Sequence, residues 1–217
     1  MDPREQIVGV ARSLFGRSLT HGSTGNISLR VPEGALITPT GASLGTIAPE
    51  DISLVSFQGA HLDGPRPSKE AFLHAAFLRE RPSAQAVVHT HSTHAAAVSC
   101  LDDLDHGDVL PPLTAYYAMR VGRLPLLPYH APGDQALEPV VAAAARRHSA
   151  VLLSNHGPVV AGATLASAAD ALEELEETAK LFLLLRGMPV RLLSGEQRAR
   201  LASPHQQFTI KKGEQEA

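Results

Sequence analysis

The segment Ala86-Val87-Val88-His89-Thr90-His91 decides how the rest of the chain is interpreted. Its apolar, β-branched start predicts a buried strand over residues 86–91. Because residues i and i+2 of a strand point to the same face, we expect the imidazoles of His89 and His91 to lie side by side, about 7 Å apart at the backbone. Such a pair can bind one metal ion. Alternatively, the two histidines belong to an edge strand and face solvent or a partner.

Helical and strand patterns are interspersed on both sides of this segment. Ser68 is a candidate helix N-cap, and it would place Glu70 in the first turn of the helix that follows. Two antiparallel hairpins and a long final helix with Gly187 as its C-cap are also predicted. The full prediction comprises helices over 4–15, 70–78, 93–100, 135–148 and 165–186, and strands over 26–31, 35–38, 52–57, 60–62, 86–91, 124–128, 150–154 and 158–161.

These elements predict an α/β fold. Hairpins outnumber βαβ units, so we expect a mixed or mostly antiparallel sheet with helices on both faces. Residues 1–210 are expected to form a single domain, and residues 211–217 a polar, frayed tail.

Composition excludes several classes of function. The net charge of −3 argues against nucleic-acid binding through a basic surface. Apolar runs are too short for a membrane span, and the first residues lack the pattern of a signal peptide. The single cysteine favours a reducing compartment, so we expect a cytoplasmic protein. Histidine is unusually frequent, with 11 residues against 3 tyrosines, which directs attention to metal and proton chemistry.

Two further residues are candidates to complete a metal site. His156 follows a predicted buried strand within Ser154-Asn155-His156-Gly157, where loops carry functional groups on a rigid scaffold. Otherwise it only shapes the turn before Pro158. Glu70 is the fourth candidate, or simply a charged residue favoured by the helix dipole. Three histidines and one carboxylate suit Zn²⁺, and Mn²⁺ or Co²⁺ tolerate the same set.

Three short polar segments precede the histidine strand, namely Ser23-Thr24-Gly25-Asn26, Thr38-Pro39-Thr40-Gly41 and Pro67-Ser68-Lys69. Each offers hydroxyl groups, glycine amides or a helix start, which are the groups that bind phosphate without a Walker motif. Each segment alone is better explained as an ordinary turn, and only their occurrence together with the candidate metal ligands favours a functional role.

Taken in order, these motifs resemble the class II aldolase/adducin family over most of residues 20–186. The resemblance implies a three-layer α/β/α fold with a mostly antiparallel central sheet, and a homotetramer that acts on a small sugar phosphate with one zinc ion per subunit. It implies zinc binding by His89, His91 and His156, with Glu70 as a ligand or acid/base group. It assigns the phosphate and substrate pocket to Ser23, Gly25, Asn26, Thr40, Gly41, Ser68 and Lys69.

Lys69 stands where sugar-phosphate aldolases and epimerases of the family usually have serine. This difference, with the segments 19–26 and 113–117, resembles the 3-oxo-tetronate 4-phosphate decarboxylase branch. That branch implies a phosphorylated sugar-acid substrate, a zinc-stabilised enediolate, and dihydroxyacetone phosphate and CO₂ as products. The alternatives are a fuculose- or rhamnulose-phosphate aldolase, a pentulose-phosphate 4-epimerase, a non-catalytic adducin-like interaction module, or an unrelated metal hydrolase.

Several other residues are weaker candidates. The resemblance suggests that Tyr116, more than Tyr117, reaches the active site of a neighbouring subunit; otherwise both are interface aromatics. Residues Arg120, Arg123 and His130 are candidate contacts for the substrate carboxylate. His74 is expected either to pack or to support Glu70 through a hydrogen bond, whereas His94 is expected to point elsewhere.

Overall fold

The computed structural model describes residues 2–202, so the predicted tail at 211–217 lies outside the described residues. Seven α-helices are present in this range: α1 Pro3–Gly16, α2 Ala71–Glu80, α3 Thr93–Ser99, α4 Ala115–Arg120, α5 Glu138–Ala145, α6 Leu165–Leu184 and α7 Gly195–Ala202. Eight strands accompany them: β1 Asn26–Val31, β2 Gly34–Ile37, β3 Ser53–Val55, β4 His61–Asp63, β5 Ala86–His89, β6 Leu126–Leu127, β7 Ala150–Leu153 and β8 Gly157–Gly162. Within residues 2–202, no helix has the length and apolar character that a membrane span requires.

The eight strands form one sheet in the order β4-β3-β2-β1-β5-β8-β7-β6. Every neighbouring pair is antiparallel except β6 and β7, which confirms the predicted sheet type. Strand β5 lies in the centre, between β1 and β8. The register places Asn26 of β1 and Val159 of β8 opposite His89, so the end of β5 is enclosed on both sides.

Helices cover both faces of the sheet, as predicted. Helices α2 and α5 pack on one face, where Val87 contributes to the core, and α1, α3, α4 and α6 pack on the other, where Val88 does so. Successive residues of β5 are thus buried on opposite faces, which explains its continuous apolar sequence. By the same alternation His89 follows Val87 onto the face that α2 covers.

Some boundaries differ from the prediction. Strand β5 ends at His89 instead of residue 91. Ser68 is not an N-cap: its hydroxyl accepts a hydrogen bond from the Glu70 N–H, and α2 begins at Ala71 with Glu70 in the N-cap position. Helix α6 ends two residues before the predicted end. Its C-cap residue is Leu185 and not the predicted Gly187, which has φ 79° and lies two residues further along the chain.

Helices α4 and α7 were not predicted. Each has eight residues or fewer, which is too short for a clear helical periodicity in the sequence. The start of α4 is fixed by Thr114, whose side chain accepts a hydrogen bond from the Tyr117 N–H.

Candidate metal centre

Four predicted ligands lie together at the end of β5. One ligand atom from each of Glu70, His89, His91 and His156 lies within 4.8 Å of all the others. The Nε2 atom of His91 lies 3.2 Å from Nε2 of His89 and 2.9 Å from Nε2 of His156. The two Glu70 oxygens lie 3.5 Å from His89 Nε2 and 3.4 Å from His156 Nε2.

These distances fit a tetrahedral metal ion. Ligand atoms that surround zinc at about 2.0–2.1 Å in a tetrahedron lie roughly 3.3–3.4 Å from one another. Four of the pairwise separations, from 2.9 to 3.5 Å, are close to that value, with Glu70 Oε2 nearest His89 and Glu70 Oε1 nearest His156. A proton on His91 Nε2 can bridge to only one of its two imidazole neighbours, so hydrogen bonding alone does not explain the convergence.

The orientation of His89 supports the same conclusion. Its Nδ1 lies 2.8 Å from the carbonyl oxygen of Pro158, which can only accept a hydrogen bond. Nδ1 therefore carries a proton, and Nε2 faces the other candidate ligands. Metal-binding histidines are commonly oriented in this way by a carbonyl or carboxylate.

The ionisation states also suit a cation. Burial, with a further contribution from His89, lowers the pKa of His91 to about 3 and that of His156 to about 4. Both imidazoles are thus neutral near pH 7 and keep the lone pair that a metal requires. Burial by itself raises the pKa of Glu70, but the three histidines and the hydrogen bond from Asn26 outweigh burial and leave that pKa below its ordinary value. The cluster therefore offers one carboxylate and the neutral imidazoles of His91 and His156.

The two histidine-bearing segments approach each other closely because of Gly157. A Cβ atom at this position would lie 2.3 Å from the carbonyl oxygen of Thr90. Helix α3 fixes the turn before Gly157: the hydroxyl of Ser99 accepts from the His156 N–H at 3.1 Å, and its carbonyl accepts from the Asn155 N–H at 3.1 Å. Asn155 has φ 53°, a left-handed conformation that asparagine tolerates.

Glu70 is held from the opposite side by β1. The Nδ2 group of Asn26 donates to Glu70 Oε2 at 2.9 Å, and Asn26 Oδ1 contacts His74 Nε2. The expectation that His74 bonds Glu70 was therefore wrong in detail, because Asn26 lies between them. His94 does point elsewhere, as predicted: its Nδ1 lies 2.8 Å from Oε1 of the buried Glu176.

A cavity of about 250 Å³ adjoins the cluster. All of the predicted phosphate-pocket residues line it, together with Thr24, Pro39, Glu70, His91, Pro132 and His156. An isolated β-bridge between Pro39 and Pro67 holds two of the polar segments side by side. Gly25 has φ +81°, and a Cβ there would lie 2.9 Å from the His89 carbonyl oxygen, so glycine is needed where β1 approaches β5.

The other candidates lie outside the lining of this cavity. The ring of Tyr116 is 61% exposed and stacks beneath the Arg120 guanidinium, whereas Tyr117 is buried. Arg123 lines a separate cavity with Asp108, and His130 lies 3.0 Å from Asp134. Within one chain, the structure does not bring these side chains to the group formed by Glu70 and the three histidines.

Sequence reasoning missed residues that shape the site without being ligands. Ser99 and Pro158 hold two of the histidines, and Pro132 and Gly133 come from a loop that lies against Lys69. The Gly-Pro pair after His156 was a visible turn signal, but the role of a serine at the end of α3 depends on packing that has no local sequence signal.

Comparison with known proteins gives consistent results. Residues 5–183 match the family described as Class II Aldolase and Adducin N-terminal domain. The chain is 46% identical to the 3-oxo-tetronate 4-phosphate decarboxylase of Escherichia coli (strain K12) over 92% of this chain and 95% of that protein. It is 34% identical to the L-fuculose phosphate aldolase of the same strain over 88% of each. The crystal structure of YgbL from Escherichia coli superposes with a TM-score of 0.89 and 45% identity, covering 92% of this chain and 97% of that one.

Proposed function

The chain belongs to the class II aldolase and adducin family, and from this premise we propose that it decarboxylates 3-oxo-tetronate 4-phosphate to dihydroxyacetone phosphate and CO₂. The observation that carries the proposal is the convergence of Glu70, His89, His91 and His156 beside a cavity with phosphate-binding groups. Similarity to the decarboxylase of Escherichia coli selects this reaction from those of the family.

The substrate is a β-keto acid, with its ketone at C3 and its carboxylate at C1. The bond between C1 and C2 breaks, CO₂ leaves, and the electron pair remains as an enediolate across C2 and C3. A proton added at C2 gives dihydroxyacetone phosphate. A Zn²⁺ ion, one per subunit, would be held by the three histidines, with Glu70 as the fourth donor until substrate takes that position. It would supply a Lewis acid that stabilises negative charge on the ketone oxygen, and Mn²⁺ or Co²⁺ would suit the same donors.

We assign to Glu70 the delivery of the proton at C2, directly or through one water molecule. Its carboxylate is nearly buried, faces the cavity and is held by Asn26. A carboxylate in such a position can act as a general acid once it is protonated.

We assign binding of the substrate phosphate to the residues Ser23, Gly25, Asn26, Thr40, Gly41, Ser68 and Lys69. The Lys69 ammonium would add a positive charge to the hydroxyl and amide donors of the other segments. Binding the substrate carboxylate tightly would instead stabilise the ground state and oppose loss of CO₂, which favours the phosphate as the partner of Lys69.

We further propose a cytoplasmic homotetramer in which Tyr116 of one subunit contacts the substrate of its neighbour. The exposure of Tyr116 and Met119, 61% and 56%, supports an interface on this helix. Light scattering would measure the assembly state, and a monomer with full activity would contradict the role of Tyr116.

The primary experiment measures CO₂ and dihydroxyacetone phosphate released from 3-oxo-tetronate 4-phosphate, with and without a chelator. Equal, chelator-sensitive formation of both products is expected, and His156→Ala should abolish it whereas the exposed His106→Ala should not. Release of an aldehyde and dihydroxyacetone phosphate from a ketose 1-phosphate, without CO₂ from the keto acid, would instead identify an aldolase. The similarity to L-fuculose phosphate aldolase makes that reaction the second candidate, since retro-aldol cleavage forms the same enediolate.

A further inference from the structure

A chain of hydrogen bonds runs from the interior of the protein to Glu70. It begins at Ser28 of β1, whose hydroxyl lies 2.7 Å from Nδ1 of His74 on α2. Nε2 of His74 contacts Oδ1 of Asn26, and Nδ2 of Asn26 donates to Glu70 Oε2. Ser28 and His74 are fully buried, and Asn26 and Glu70 are nearly so.

The chemistry of each group determines which atom donates and which accepts in this series of hydrogen bonds. The Glu70 carboxylate only accepts hydrogen bonds, so the Asn26 amide must turn its NH₂ group toward Glu70 and its carbonyl oxygen toward His74. That carbonyl oxygen also only accepts, so His74 must carry its proton on Nε2. The unprotonated Nδ1 of His74 then accepts a hydrogen bond from the Ser28 hydroxyl, which can rotate into the required orientation.

We propose that His74 is a positioning residue of the site, which acts through the Asn26 amide to hold the Glu70 carboxylate toward the three histidines. Asn26 separates His74 from Glu70 in this series of hydrogen bonds, and His74 does not itself line the cavity. The inference deepens the proposed function, and it rests on the role given there to Glu70.

Two observations indicate that the Glu70 carboxylate needs neighbouring residues to fix its direction. Glu70 is the N-cap residue of α2, yet its side chain makes no capping hydrogen bond, so the helix does not fix its direction. Burial also lowers the pKa of His74 to about 3, which keeps a single proton on the ring near neutral pH. A ring with one proton can orient the Asn26 amide, because its Nε2 must then be the donor.

The first test is spectroscopic and uses the metal-free wild-type protein labelled with ¹⁵N-histidine. Long-range ¹H–¹⁵N spectra distinguish a protonated ring nitrogen from a bare one, and the His74 signals are assigned as those missing from His74→Gln. We expect a proton on Nε2 and none on Nδ1 between pH 6 and pH 8. A proton on Nδ1, or on both nitrogens, would overturn the inference.

The second test compares two substitutions in the zinc-loaded enzyme. His74→Leu removes the donor, and we expect kcat to fall about 10-fold or more with KM within about 2-fold of wild type. His74→Gln retains an N–H near the Nε2 position and should recover most of that loss. His148→Leu is the control, at a half-buried histidine three residues beyond the end of α5, and it should leave both constants unchanged.

Unchanged kcat in His74→Leu, or equal losses in the Leu and Gln variants at wild-type zinc content, would contradict the positioning role. If His74→Leu fails to fold, two other results test the positioning role of His74. They are the kinetic constants of His74→Gln relative to wild type, and the wild-type spectra. A wild-type protein that releases no CO₂ would refute the proposed function instead, and the spectra would still judge the orientation of His74 and Asn26.

Discussion

We expect Gly157→Ala to weaken metal binding while leaving the protein folded. Gly157 lies directly after His156, and its Cα faces the backbone between His89 and His91. An added Cβ would lie 2.3 Å from the carbonyl oxygen of Thr90, whereas real Cβ atoms essentially never approach within 3.0 Å of such an atom. The carbonyl oxygen belongs to the backbone, and the backbone also fixes the position of a Cβ, so no side-chain rotation relieves the contact.

The size of the effect follows from these distances. The two segments must separate by about 0.7 Å, which is more than three times the roughly 0.2 Å tolerance of a metal-ligand distance. We therefore expect zinc affinity to fall by at least about 10-fold to 100-fold, as for the loss of a residue that orients a ligand. Overpacking of this kind costs about 1–3 kcal/mol of stability, which a typical domain tolerates.

Competition with a chromogenic chelator would measure zinc affinity, and urea unfolding of the metal-free protein would measure stability. Gly9→Ala is the matched control, because nothing lies within 4 Å of a Cβ at that helical position. It should bind zinc normally and be slightly more stable. If Gly157→Ala bound zinc as tightly as wild type, the argument that close backbone contact sets the ligand spacing would be refuted.

Four further predictions follow from the site and its surroundings. Glu70→Gln should retain zinc but slow turnover by about 100-fold or more, because an amide cannot transfer the proton; near-normal kcat would remove Glu70 from that step. Lys69→Ala should raise KM for the phosphorylated substrate, and an equal rise for an analogue without phosphate would contradict the assignment. Glu176→Ala should lower the free energy of unfolding in urea by about 1.5–3 kcal/mol, because this carboxylate accepts hydrogen bonds from two backbone N–H groups at the start of α3. The exposed Glu177→Ala should change it by less than about 0.5 kcal/mol, and equal effects would refute this account. The metal-free protein should lose stability as pH falls from about 6.5 toward 3, because the unfolded chain protonates His74, His91 and His156 near 6.5 and the folded chain only at about 3 to 4. Urea unfolding at each pH should show a smaller loss in His74→Leu, and a loss equal to that of wild type would exclude a contribution from His74.

The parts of the fold that could be predicted are those with a strong local pattern. The apolar run before His89 predicted a buried strand, and the strand is buried because helices cover both faces of the sheet. His89 and His91 were identifiable as candidate ligands from their spacing, although β5 ends at His89 and His91 lies just beyond it. Glu70 and His156 were recognisable only in combination, since each alone has an ordinary structural explanation.

Other features depend on contacts that a local pattern does not contain. Ser68 has the composition of an N-cap, but its hydroxyl bonds the Glu70 N–H within a turn, and the helix begins later. The link from His74 to Glu70 runs through Asn26, because the register of β1 against β5 places Asn26 beside the cluster. Strand register is a property of the assembled sheet, so the sequence indicated the participants in the site without their order.

The strand order also determines when the site comes into existence as the chain folds. In sequence, 65 residues separate His91 from His156, and 44 separate Asn26 from Glu70. Closing such long loops costs entropy that is recovered only when β1, β5 and β8 have paired. An unfolded chain therefore presents a metal ion with little more than the His89–His91 pair. A metal ion bound at the proposed site would therefore stabilise the finished fold and slow its unfolding, and it would not guide the earlier steps of folding.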